Sequence, residues 1–138
     1  MTMPGDQRLY NRKLIDEFRA DGGKSMGDRP LLLLTTTGRR SGKPHTSPMM
    51  FVPDGDRYLV IASNNGATTD PDWYRNLLAD PSVTVEVPGS AFRATATPLE
   101  GDDYERSWAG IQEKYPFFTE HQEQAHRTIP VVALVKAG

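Results

Sequence analysis

The stretch Leu31-Leu32-Leu33-Leu34-Thr35-Thr36-Thr37-Gly38-Arg39-Arg40-Ser41-Gly42-Lys43-Pro44 decides how the rest of the chain is read. An apolar run passes into threonines, and β-branched residues favour extended backbone. The pattern predicts a first strand over Leu31–Thr37. Gly38 to Pro44 then predicts a basic turn. Beyond it, His45 to Val52 reads as a second strand, with Pro48 at a bulge or an unpaired edge because it cannot donate to a ladder. Pro53-Asp54-Gly55-Asp56 is a hairpin signal, since glycine takes positive φ at little cost. Arg57 to Ser63 should therefore fold back as a third strand.

Upstream, Leu9, Leu14 and Phe18 recur at helical spacing with Tyr10 and Ile15 beside them, which predicts an amphipathic helix from Leu9 to Arg19. Asp21-Gly22-Gly23 stops it, and Gly22 to Arg29 reads as a loop. Downstream, the loop Asn64 to Thr69 leads to a helix capped by Thr69 or Asp70, with Pro71 in its first turn and Asp80-Pro81 at its end. Ser82 to Val87 alternates as a strand, Pro88-Gly89 turns the chain, and Ala91 to Leu99 returns antiparallel. Asp102 with Glu105 resembles a capping box opening a helix with one apolar stripe, Tyr104, Trp108, Ile111 and Tyr115. Pro116 interrupts it, Phe117 to Ala125 reads as a short helix, and Ile129 to Lys136 as a last strand.

Six antiparallel strands with helices at the start, middle and near the end make a mainly β, α+β chain. Parallel βαβ units need strand–helix alternation throughout, which is absent. A small, partly open β-barrel with peripheral helices fits. At 138 residues the chain suits one domain over 1–138, with an N-terminal arm and helix over 1–28 and the barrel over 29–138.

The net charge of −2 argues against a nucleic-acid partner held by overall charge. Without cysteine there is no disulfide, thiolate metal site or cysteine nucleophile. Met1 to Gly5 lacks the apolar stretch of a secretory signal, and Leu31 to Leu34 is far too short to span a bilayer. A soluble, cytoplasmic protein is expected. Leu9, Tyr10, Leu14 and Phe18 would serve packing on the barrel or weak contact with a membrane surface.

Chemistry concentrates in the basic turn. Gly38 and Gly42 let the backbone approach an anion, and Arg39, Arg40 and Lys43 supply charge. Arginine forks suit phosphate or carboxylate oxygens. A solvated basic hairpin is the plain alternative. It is not a P-loop, since Pro44 stands where Ser or Thr is needed. The loop Ser63 to Ala67 precedes a helix N-terminus, which attracts anions but is equally an ordinary connection. Trp73 would flank a flat heterocycle, pack in the core, or both. His121 and His126 are five apart, poor for joint metal ligation on a helix, and there is no HExxH, so no metal is expected. Either histidine could donate a proton near neutral pH. No GxSxG surrounds any serine.

The run Leu32 to Pro44 resembles the signature of the deazaflavin-dependent nitroreductases, small enzymes that use coenzyme F420. The likeness continues through Ser47-Pro48, Asp54-Gly55, Ala62-Ser63, Gly66-Ala67, Pro71, Trp73-Tyr74, Asn76-Leu77 and Asp80-Pro81. It resumes at Tyr115-Pro116 and at Arg127-Thr128-Ile129-Pro130-Val131-Val132. The resemblance implies a split β-barrel like those that bind FMN, a bound F420 with an acidic tail, and hydride transfer to an enone, lactone, quinone or nitroaromatic. It implies that Arg39, Arg40, Ser41, Gly42 and Lys43 hold the tail. Pro48, Met49 and Met50 would flank the deazaflavin, Ile61, Ala62 and Ser63 would contact the ring, and Pro71, Trp73 and Asn76 would close the groove.

Departures from the family pattern bear on both ends of the site. Asn64 stands where some relatives have lysine, and His45 where some have arginine. Met50 and Phe118 occupy positions that are tyrosine in nitroimidazole-reducing relatives, and His121 a third. A pocket poorer in hydroxyls points to apolar enones or quinones. Ser63, Tyr115 and His121 are the candidates for polarising or protonating substrate. A non-catalytic carrier for a lipid or another cofactor is the alternative reading. A homodimer is compatible with this fold.

Overall fold

β1, Leu31–Thr37, is apolar without alternation because both of its faces are covered. In the computed structural model, Leu32 and Leu34 point into a barrel, packed with Val60, Val83, Val85, Val132 and Leu134. Leu31 and Leu33 point outward and pack beneath Ile15 and Phe18 of α1, Pro4–Asp21. Each fully buried leucine contributes roughly 1.5–3 kcal/mol. The structure describes residues 4–21, 31–63 and 68–137. The expected loop Gly22 to Arg29, Asn64 with Asn65-Gly66-Ala67, and the side chains of Leu9 and Tyr10 lie outside the described residues.

β2, Pro44–Asp54, pairs antiparallel with β1 from Leu31↔Met50 to Thr37↔Pro44. β3, Arg57–Ile61, pairs with β2 only from Phe51 onward, so Pro48 has β1 on one side and no strand partner on the other among the described residues. That is the unpaired edge expected for a proline. The β2–β3 loop is Gly55-Asp56, with Gly55 at φ 60°, as a type II′ turn requires. After α2, Asp72–Ala79, come β4, Ser82–Val87, and β5, Ser90–Pro98. α3, Gly101–Lys114, and α4, Phe117–Ala125, precede β6, Val131–Lys136. Strand order β1-β2-β3-β6-β5-β4 closes into a ring, sealed by β1 against β4 at Leu33↔Glu86, Leu34↔Val85 and Thr35↔Thr84. A second apolar cluster lies outside the barrel, where Trp108, Ile111 and Phe118 of α3 and α4 cover Leu59, Ile61, Val131 and Ala133.

Both expected helix caps are corrected. α2 is capped by Pro71 and α3 by Glu100, neither with a side-chain bond. Asp70 is drawn instead to Arg127, 2.6 Å away. Asp102 falls inside the first turn of α3, where it favours the helix dipole rather than capping it. α1 also begins at Pro4, earlier than its apolar periodicity indicates. No described helix is long and apolar enough to cross a membrane.

Candidate functional site

The β1–β2 turn is fixed by its own backbone. Gly38 N–H donates to the Lys43 carbonyl at 2.8 Å, Gly42 N–H to the Gly38 carbonyl at 2.8 Å, and Lys43 N–H to Ser41 Oγ at 3.2 Å. Gly42 sits at φ 72°, a conformation glycine adopts freely. Gly38 is glycine for a different reason. A Cβ there would come within 2.7 Å of His45 Nε2 and 2.8 Å of Ser41 Oγ. The imidazole thus packs directly on backbone at the base of the turn.

α2 holds this turn through Asn76, which is 4% exposed. Its Oδ1 accepts from Arg39 N–H at 3.2 Å and from Arg39 Nη1 at 2.8 Å. Its Nδ2 donates to Thr36 Oγ1, inside the barrel end, at 3.3 Å. Arg39 Nη2 also reaches Asp72 at 3.3 Å. Asn76 is therefore a strut between strand, turn and helix, with its amide spent on protein partners. Arg40, Ser41 and Lys43 remain exposed. The Arg40 and Lys43 side chains make no hydrogen bond or ion pair among the described residues.

An open cleft of about 960 Å³ lies over the turn. Gly38, Arg39, Arg40 and Ser41 with His45, Thr46 and Ser47 of β2 make one side; Asp72, Trp73 and Asn76 of α2 make another. α1 closes it with Arg12, Ile15, Asp16 and Arg19. Trp73 serves two roles, since it lines the cleft and packs against the barrel core. The α1 wall went unread in the sequence. Its signal was present, for positions 12, 15, 16 and 19 share one helical face beside the apolar stripe.

The structure brings together Arg39, Arg40, Ser41, His45, Trp73 and Asn76, with Gly42 and Lys43 in the same turn. Other candidates stand apart from the cleft lining. Met49 packs into the barrel core and Met50 under α1, while Pro48 pairs with Leu33 of β1. Ile61 belongs to the second cluster, and Ala62 and Ser63 are buried just past β3. Pro71 caps α2.

Arg127 organises that neighbourhood, a role its motif gave no hint of. Nη1 donates to Asp70 at 2.6 Å. Nη2 donates to the carbonyls of Ala62, Ser63 and Thr69 at 3.1, 3.3 and 3.1 Å. It ties the end of β3 to the start of α2. Tyr74 lies in the field of this pair; burial and then Asp70 raise its phenol above the ordinary value, and Arg127 opposes.

Tyr115 and His121 form a third group. Tyr115, Phe117, Phe118 and His121 pack as an aromatic nest, with ring centroids 4.4–6.3 Å apart. His121 Nδ1 is buried and has no hydrogen-bond partner among the described residues. A buried unsatisfied group costs roughly 1–3 kcal/mol, so this nitrogen has unspent capacity for a ligand. Met50, expected on the substrate side, is partly buried against the cluster under α1.

A small antiparallel barrel with a cationic cleft walled by tryptophan is the build of a split-barrel oxidoreductase. The family model for F420H(2)-dependent quinone reductase matches residues 9–136. An F420H(2)-dependent quinone reductase of Mycobacterium tuberculosis (strain ATCC 25618 / H37Rv) is 38% identical over 118 residues, covering 83% of this chain and 79% of that protein. The solved F420-H2 dependent reductase FDR-A superposes with TM-score 0.70 at 38% identity, covering 77% of this chain and 94% of its own. A second structure, described as a domain-swapped dimer, gives TM-score 0.73 at 35% identity, covering 96% and 99%. The chain belongs to the F420H(2)-dependent quinone reductase family.

Proposed function

We propose that this protein passes a hydride from reduced coenzyme F420 to a quinone-type acceptor, with the cleft over the basic turn as the coenzyme site. The observation that carries this reading is the pairing of a rigid, glycine-built turn bearing the unpaired Arg40 with the Trp73 face of α2 across one cleft. Its cations suit the acidic tail, and the indole suits a flat heterocycle. When bound, the deazaflavin supplies a two-electron hydride donor; the protein binds, orients and shields it.

In this reading Arg39, Arg40, Ser41, Gly42 and Lys43 hold the tail, and His45 packs the base of the turn. Asn76 acts by fixing Arg39. Pro48, Met49, Met50, Ile61, Ala62, Ser63 and Pro71 form the strand and loop backing toward the ring. Ser63, Tyr115 and His121 are the groups that polarise or protonate substrate. His121 ranks first among them because its Nδ1 is buried and unspent. The chain acts as one domain in the cytoplasm. A homodimer is part of the reading, supported by the domain-swapped dimer of a 35% identical relative.

The test follows oxidation of the reduced coenzyme by a soluble quinone and by a nitroimidazole under anaerobic conditions. Faster quinone turnover is expected. Replacing Arg40 by Ala should raise the coenzyme KM about fivefold with kcat little changed, as the loss of a tail contact requires. No quinone-dependent oxidation by the wild-type protein would sink the activity, and faster nitroimidazole turnover would sink the substrate assignment.

A further inference from the structure

Four guanidinium groups line the cleft: Arg12, Arg19, Arg39 and Arg40. Two of them have protein partners. Arg19 forks onto Glu86 of β4 at 3.1 and 2.8 Å, with Asp16 in its field. Arg39 is held in place by Asn76 and Asp72. Arg12 and Arg40 have no hydrogen-bond or ion-pair partner among the described residues. The cleft thus presents two free cations on two different elements, α1 and the β1–β2 turn. A single small anion at the turn would leave Arg12 uncompensated. A chain of anionic groups would meet both.

α1 is positioned to serve as a wall. Phe18 and Ile15 anchor it on Leu31, Leu33 and Met50, and the Arg19–Glu86 fork pins its last turns to β4. Arg12 lies two helical turns before Arg19 on that face, where an arginine can reach along the cleft.

We infer that Arg12 is a binding residue for the distal carboxylates of the coenzyme's acidic tail, so that α1 makes the protein sensitive to tail length. The inference rests on the coenzyme site proposed above. The turn takes the phosphodiester and the near end of the tail. Arg12 takes the far end, as an exposed charge pair that is worth little alone and weakens with salt.

Binding to the full chain separates the two readings. The dissociation constant is measured by tryptophan quenching for three oxidised ligands: coenzyme with several terminal glutamates, coenzyme with one, and the deazaflavin riboside lacking phosphodiester and tail. Arg12→Gln should weaken the long-tailed coenzyme about fivefold, the one-glutamate form less, and the riboside not at all. It should also flatten the salt dependence for the long-tailed form, and Arg12→Lys should retain most of the affinity. Equal affinities of wild type and Arg12→Gln for the long-tailed form would overturn the inference while leaving the coenzyme site standing. Equal loss for all three ligands would overturn it too, as a structural effect of α1. Failure of the wild-type protein to bind any of the three overturns both readings.

Discussion

Replacing Asn76 by Ala tests whether the turn is held by a buried strut. The side chain is 4% exposed and serves three groups: Arg39 N–H, Arg39 Nη1 and Thr36 Oγ1. Losing the bond to the guanidinium costs about 1.5 kcal/mol, the low end for a charged partner, because Arg39 reaches water on its other side. Thr36 is 1% exposed and keeps an orphaned hydroxyl, a further ~1.5 kcal/mol. The bond from the Arg39 amide is long, at 3.2 Å, and only part-buried, so it adds little. The sum is about 3 kcal/mol. At about 2.1 cal/mol/K per residue, the 138-residue chain has an unfolding entropy near 0.29 kcal/mol/K, so Tm should fall by roughly 10 °C.

A double-mutant cycle isolates the mechanism. Thr36→Val added to Asn76→Ala removes the orphan and should recover about 1 kcal/mol, where independent sites would add their costs. Urea unfolding with unchanged m-values is the assay. A cost for Asn76→Ala below about 1 kcal/mol, or simple additivity with Thr36→Val, refutes the strut. Coenzyme affinity should fall together with stability, because the same bond orients Arg39.

Gly38→Ala should displace His45 and Ser41, whose atoms stand 2.7 and 2.8 Å from the new Cβ. We expect a cost near 1 kcal/mol with weaker coenzyme binding, and His45→Ala in the same chain should restore part of the stability. Arg127→Met leaves Asp70 and the carbonyls of Ala62, Ser63 and Thr69 without that donor, which should cost about 2–3 kcal/mol in urea unfolding. Lysine, lacking the fork, should fall between. Asp103 is held below its ordinary 3.8 chiefly by the two hydrogen bonds from Arg57 at 3.0 and 2.7 Å. A lowered carboxyl stabilises fully above its unfolded value and loses that contribution as pH falls through its folded value. Asp103→Asn should therefore lower Tm at pH 7, with the gap narrowing as pH falls below about 3.8; a gap that does not narrow on acidification contradicts this.

What was legible in the sequence depended on how local the determining interaction is. β1 begins and ends where its apolar and β-branched run does, and α4 where Pro116 and the break after Ala125 place it. The Gly55 hairpin and the Pro48 edge also follow from single-residue backbone rules. The α2 cap failed because a long-range pair outcompeted a local one: Asp70 stands beside the helix start, but its partner is Arg127, 57 residues away in sequence and 2.6 Å away in space. The turn proposed for the coenzyme was legible as charge and glycine in one segment. The Asn76 strut was not, since its partners come from elements 37 and 40 residues distant. Nothing local marks the His121 nitrogen as unspent, because that depends on the aromatic rings folded around it.

In the proposed reading, the two halves of the chemistry rest on separate supports. The cleft is built on the barrel core and on the small cluster under α1, through Leu32, Leu34 and Leu77 on one side and Phe18, Leu31 and Leu33 on the other. Tyr115 and His121 rest on the α3–α4 cluster outside the barrel. Substitutions within one support should then change coenzyme affinity or substrate preference without the other, since distant sites with no shared partner behave additively. Arg127 is the exception. It follows the left-handed His126 that ends α4 and grips Asp70 at the start of α2, so it spans the two supports. A change there should move both properties at once, which is the signature that separates a link between the halves from a residue belonging to either.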